Sequence, residues 1–319
     1  VERHKTLTVY KKTTVQPYKA EWLQAFAIGA KIVLPFVVDY SDTTQYKHTD
    51  FAMIFNYQLQ PINVPHLKLR QTVQEKQENK NIFFFDSDVL ISYSKTKTET
   101  LNNYVRIPFR NVYPDKALYF NDNFKSDRWN KFAIQKHIKL KEYRKDGDHI
   151  LICCNRGSGG YSAFGINAAN WAIETATELR KHTERTIVIR LHPGARADLK
   201  KKDYKRLMSF ASKAHSIRIT GLSKTEPLIN DIRGAWATVI FTSTAGAMSL
   251  IEGVPVFVCH PSSYLNSVNA GKLSDIENPK LYNREEFLHK LAYTQWNIEE
   301  LKDGTFFRSI MDRGFSKYV

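Results

Sequence analysis

Thr242-Ser-Thr-Ala-Gly-Ala-Met-Ser-Leu-Ile-Glu-Gly-Val-Pro255 decides how the second half of the chain is read. The apolar run Ala237-Thr-Val-Ile-Phe-Thr242 leads into it, and Val254-Pro-Val-Phe-Val-Cys259 follows. Hydroxyl residues at its start, an apolar middle and Glu252-Gly253 at its end predict a short helix between two buried strands. The same alternation extends to either side. His149-Ile-Leu-Ile-Cys-Cys154, Thr186-Ile-Val-Ile-Arg-Leu191 and Ser216-Ile-Arg-Ile-Thr220 read as further buried strands. Between them, Ala168, Trp171, Ala172 and Leu179 share one helical face, as do Tyr204, Leu207, Met208 and Ala211, and Leu228, Ile229, Ile232 and Ala235. Near-continuous apolar strands separated by amphipathic helices predict βαβ units and a parallel sheet covered on both faces.

The first half repeats the pattern less regularly. Strands are expected at Leu7 to Lys11, Phe51 to Tyr57 and Asn81 to Phe85, with helices over Lys19 to Lys31 and His66 to Lys80. Arg106 to Arg128 has no period and reads as a long surface loop. At 319 residues the chain exceeds what one core serves well, so the expected class is α/β with two Rossmann-like domains facing a central cleft. The Asp146-Gly147-Asp148 turn suggests the divisions 1–145 and 146–290, with an aromatic tail, 291–319, packing back on the first domain.

In open α/β sheets ligands bind beyond the carboxyl ends of the strands. Three loops of the second half are expected there, each competent to hold an anion. Asn155-Arg-Gly-Ser-Gly-Gly-Tyr161 offers Arg156 and the close backbone approach of Gly157, Ser158 and Gly159, although neither the dinucleotide fingerprint nor the P-loop spacing is met. Arg190-Leu-His-Pro-Gly194 aims Arg190 and His192 from a strand end. Ser243, Thr244 and Gly246 open the helix of the deciding stretch. Each alone is as well explained by a tight turn or a cap; three at one edge point to a diphosphate such as that of a nucleotide sugar.

Arg190-Leu-His-Pro193 followed by Thr242-Ser-Thr-Ala-Gly to Gly253-Val-Pro255 resembles the C-terminal domain of two-domain (GT-B) glycosyltransferases. Within these it is similar to capsule-polysaccharide and Kdo-type transferases and to phage-encoded DNA-modifying relatives. Asp127-Arg-Trp129 and Tyr293-Thr-Gln-Trp-Asn-Ile-Glu-Glu300 add to the likeness, which spans about residues 125–305. It implies that the second domain holds the sugar nucleotide while the first presents the acceptor and a base. The family's ribose-binding Glu is replaced by Met248; Glu252, one turn later, is the substitute expected from the resemblance. Arg156, Arg190 and His192 would clamp the leaving group.

For the base, Phe85-Asp86-Ser-Asp88 places Asp86 and Asp88 at the carboxyl end of a strand, and an Asx-turn explains them equally well. His48-Thr-Asp50 is the weaker candidate. No ligand spacing for a metal stands out, so the transfer is expected to be metal-independent, with no cofactor beyond a UDP-sugar or other nucleotide sugar as co-substrate.

The net charge is +15, of which +10 falls within residues 1–145. A polyanionic partner or a merely basic surface explains it equally well. Lys131, Lys136, Lys139, Lys141, Arg144 and Lys145 are the expected phosphate contacts, which makes double-stranded DNA carrying a hydroxymethylated pyrimidine the leading acceptor. A capsule or lipid-linked saccharide at the inner membrane surface is the alternative, and a non-enzymatic DNA-binding protein the third reading. Three Cys, two adjacent, suit no disulfide framework, so a cytoplasmic setting is expected, the host's if the chain is phage-encoded. The greasy stretch Trp22 to Val38 is broken by Gln24, Lys31 and Pro35 and is not expected to insert in a membrane.

Overall fold

The computed structural model describes residues 4–58, 63–87, 89–90, 104–111, 124–156, 161, 164–192, 201–222 and 226–319. It comprises two compact units: Val1–Lys136 with Leu288–Val319, and His137–Phe287. Each is an α/β unit with its own sheet, as the alternation of runs predicts.

The first unit contains β1 (Thr6–Tyr10), α1 (Pro17–Val33), β2 (Val37–Ser41), β3 (Phe51–Phe55), α2 (Pro65–Lys76), β4 (Ile82–Ser87), β5 (Val105–Arg106) and α3 (Asp127–Gln135). Its sheet has the order β11-β5-β4-β3-β1-β2, where β11 is Gln295–Trp296 from the end of the chain. β1 to β4 are parallel; β5 and β11 extend the sheet antiparallel. Alternate strand residues face opposite layers. Leu7, Val9, Met53, Phe83 and Phe85 meet α1 and the aromatic tail, whereas Ala52, Ile54, Ile82 and Phe84 meet Leu69 and Val73 of α2.

Three local expectations are corrected. α2 stops at Lys76 rather than Lys80, because Asn79 and Lys80 take positive φ (52° and 53°). The expected loop from Arg106 is in part core: Ile107 and Phe109 are fully buried, with Phe109 4.6 Å from the Phe83 ring, so one aromatic contact outweighs the missing period. Residues 112–123 lie outside the described residues. β2, with Asp39 at its centre, had no apolar pattern to announce it.

After β11 come α9 (Ile298–Lys302) and α10 (Thr305–Asp312). Phe306, Phe307 and Phe315 are buried in one cluster with Phe26, Phe83 and Phe109. Gly29 of α1 is where the two segments come closest: a Cβ there would lie 1.9 Å from the Leu301 carbonyl oxygen, so only glycine lets the helices meet backbone to backbone.

The second unit runs β6 (His149–Cys153), α4 (Ala168–Arg180), β7 (Thr186–Arg190), α5 (Lys201–Lys213), β8 (Ile217–Thr220), α6 (Leu228–Gly234), β9 (Ala235–Ile240), α7 (Ala245–Ile251) and β10 (Val256–Val258), followed by α8 (Glu285–Ala292), which spans the boundary between the units. Its five strands are all parallel, in the order β10-β9-β6-β7-β8. β6 starts in the middle, the chain winds outward to β8, then returns to the other side of β6. That reversal puts a topological switch point between β6 and β9.

Candidate functional site

At that switch point two loops are joined side chain to backbone. Asn155, just beyond β6, donates from Nδ2 to Thr242 Oγ1 at 2.8 Å, and its Oδ1 accepts the Thr242 N–H at 3.3 Å. The Asn155 N–H donates to the Tyr161 hydroxyl at 3.1 Å. Tyr161 is wholly buried and packs on Trp171 and Phe241; Phe241 in turn meets Phe164 and His260, the latter at 4.5 Å. An aromatic bed thus underlies a polar rim. Burying the Tyr161 ring holds its hydroxyl well above the ordinary phenol range and keeps it a neutral hydrogen-bond partner.

Arg156 is exposed beside the pair, and His192, half-buried, leaves the end of β7. Ser243, half-buried, accepts the Ala245 N–H on Oγ at 3.3 Å, and Thr244 is exposed at the helix start. These residues share the carboxyl edge of the sheet. Gly157, Ser158 and Gly159 lie outside the described residues.

Gly246, Arg190 and Glu252 are engaged within the fold. A Cβ on Gly246 would come within 2.5 Å of Leu265 Cδ1, so this glycine permits packing of α7. Arg190, expected as a leaving-group clamp, is buried: it donates to Asp231 at 2.6 Å and to the Glu226 carbonyl. Asp231 also accepts from Thr220 Oγ1 at 2.8 Å, so the cation ties β7, β8 and α6 together. Glu252, expected near the ribose, lies at the far end of α7. Because that helix runs antiparallel to the strands, it carries Glu252 to the opposite sheet edge, where the buried carboxylate pairs with Lys141 and Arg233.

On the first unit Asp86 ends β4, half-buried and ion-paired with Arg106 of the neighbouring β5. Asp88 lies outside the described residues. Asp50, the weaker candidate, accepts from the Thr6 N–H at 2.7 Å and hydroxyl at 2.9 Å at the amino edge, away from the carboxyl rim. A cavity of about 610 Å³ opens at the carboxyl ends of β1 and β2, lined among others by Lys11, Lys12, Gln16, Glu21, Gln24 and Tyr40.

The basic run is largely engaged. Lys136 is buried against Phe132 and Tyr104. Lys131 pairs with Glu300 at 3.2 Å, Lys141 with Glu252, and Arg144 with Asp146 at 3.2 Å. Lys139 and Lys145 are exposed. Among the described residues no helix is long and apolar enough to cross a membrane.

Asn155 and Thr242 on the rim, with Tyr161 and His260 in the aromatic bed beneath it, are the residues that sequence reasoning passed over. Each borders a residue it singled out or follows a predicted strand, but choosing them requires the strand order.

No protein-family model and no curated protein matches the sequence. Among solved structures the chain is similar to the β-Kdo 2,7-transferase of KpsC from Thermosulfurimonas dismutans: TM-score 0.50 at 12% identity, covering 96% of this chain and 100% of that one. The β-Kdo 2,4-transferase of the same KpsC gives TM-score 0.49 at 11% identity over 94% of this chain and 99% of that one. A co-structure of S. aureus MnaA with UDP gives 0.33 at 12% identity over 99% and 98%. At such identity the first of these likenesses speaks to fold alone. The fold is of GT-B type, with two Rossmann-like units.

Proposed function

We propose that the chain is a glycosyltransferase that holds a nucleotide sugar on the carboxyl rim of its second unit and passes the sugar to a hydroxyl acceptor. The observation that carries this is the Asn155–Thr242 pair at the switch point of a five-stranded parallel sheet, with Arg156, His192 and Ser243 on the same rim. Parallel sheets bind nucleotides there because loops diverge and leave backbone and hydroxyl donors open. The first of the similar structures is a Kdo transferase, an activity of the same class.

In the transfer the acceptor oxygen bonds the anomeric carbon as the bond from that carbon to the phosphate oxygen breaks. The departing phosphate keeps the electron pair, and Arg156, His192 and the Ser243 hydroxyl stabilise it. The acceptor proton goes to a carboxylate of the first unit, Asp86 or Asp88. No step requires a metal.

As acceptor, a saccharide hydroxyl is favoured over a DNA base. Four of the six basic residues expected on phosphates are buried or already paired with acids, which leaves fewer cations for a duplex backbone.

Calorimetric titration with a panel of nucleotides and sugar nucleotides, then transfer assays with and without a chelator, test the reading. Binding that weakens about tenfold in Asn155→Ala is the expected result. Absence of nucleotide binding by the wild-type chain would overturn it.

A further inference from the structure

The first unit has a switch point of its own, between β1 and β3, since β2 lies on one side of β1 and β3 and β4 on the other. Thr13 closes it. Its hydroxyl donates to the Tyr10 carbonyl at 2.6 Å and accepts the Phe55 N–H at 2.9 Å. Arg70 of α2 donates from Nε to the Thr13 carbonyl at 2.8 Å. Its guanidinium lies 5.9 Å from the Phe55 ring centroid, and the Lys19 ammonium, from the first turns of α1, lies 4.5 Å from the same centroid.

Arg70 is only 9% exposed, yet its two terminal amino groups donate to no acceptor among the described residues. The nearby acid is Asp86, which Arg106 already engages. Among the described residues, Lys19, Arg70 and Arg106 therefore gather near one carboxylate. Repulsion from Arg70 is visible in its neighbours Lys19 and His66. Burial pushes Arg70 down to about 10, with Asp86 opposing; burial and then Arg70 lower Lys19; burial, then Arg70 and Lys19, lower His66. Grouping desolvated cations costs stability, and such grouping is characteristic of ligand sites.

We propose that Lys19 and Arg70, set over Phe55 at this switch point, form an oxyanion site that takes a phosphate or carboxylate carried by the acceptor. Charge-assisted donation from the Arg70 amino groups and the Lys19 ammonium holds the anion, and the ring below keeps water from one side. Identifying the ligand as the acceptor rests on the proposed glycosyl transfer; the anion site itself does not.

The test is calorimetric titration of the full chain with inorganic phosphate and, separately, with glucuronate. Wild-type binding to either supports the site and identifies which oxyanion it takes. The Lys19 ammonium makes no hydrogen bond to a described residue, so Lys19→Gln is expected to melt like wild type and to bind the anion about tenfold more weakly. Arg70→Lys keeps the charge but loses the planar fork and is expected to weaken binding several-fold. The proposal is overturned if neither anion binds the wild type, if Lys19→Gln binds as tightly as wild type, or if only Asn155→Ala loses the anion. Nucleotide titration of Asn155→Ala reports separately on the second unit, so failure of the transferase reading and failure of this site give different patterns.

Discussion

The two switch points occupy the same place in their sheets and are furnished in opposite ways. On the second unit the rim joins neutral groups, Asn155, Thr242 and Ser243 above the buried Tyr161, to the exposed Arg156, and the nearest buried cation, Arg190, is neutralised by Asp231. On the first unit Lys19, Arg70 and Arg106 gather round one carboxylate. The second unit's rim selects mainly by the direction of hydrogen bonds, the first unit's by charge. A two-substrate enzyme has reason for both: a donor with a fixed pattern of hydroxyls and phosphate oxygens, and an acceptor recognised through one anionic group.

The comparison breaks most visibly at Arg190. Arg190→Ala strands the Asp231 carboxylate and is expected to cost about 4 kcal/mol in urea unfolding, because removing one partner of a buried pair leaves an uncompensated charge. Unchanged stability with lost nucleotide affinity would instead make Arg190 a rim cation and erase the contrast. Next, Phe307→Ala removes a ring packed 4.8 Å from Phe26 and is expected to destabilise the first unit by about 3 kcal/mol, leaving nucleotide binding on the second unit intact. Asn155→Ala sharpens the comparison from the other side. Folding should lose only about 1 kcal/mol in the same unfolding measurement while nucleotide affinity falls about tenfold.

The smallest expected effect is a pH dependence of the second unit. Burial lowers the pKa of His149, whose Nε2 lies 2.9 Å from the Asp231 carbonyl. A histidine harder to protonate when folded binds more protons unfolded, so stability is full above the unfolded pKa of about 6.5 and declines as pH falls through it. His149→Phe should flatten that decline in melting curves taken between pH 8 and 5. An unchanged slope would assign it to another group.

The second unit was legible because its strands are mostly apolar runs and its helices each show one apolar face, so β6 to β10 could be marked from the sequence. The first unit was less so. Its edge strand β2 carries Asp39 and β5 is two residues long, so neither shows a strand period; the aromatic tail was expected against the first unit, but which rings it meets depends on contacts far apart in sequence. At the site the pattern was similar. Hydroxyls, Arg156 and His192 at strand ends were readable, because strand ends are local. The contacts of Glu252 and Arg190 were not readable, for a non-local reason: helix direction sends one to the opposite edge, and Asp231, 41 residues further on, pairs with the other. Lys19 and Arg70 come from different helices and meet over Phe55 only once β1 and β3 are side by side.

The close approach at Gly29 also affects how the protein is made. Residues 137–287 are continuous and can close their sheet as soon as they leave the ribosome. The first unit emerges earlier but waits for β11, α9 and Phe315 to complete its sheet and fill its interior. Until that segment arrives, a bed of phenylalanines stands open, so the nascent first unit depends on it for protection from aggregation.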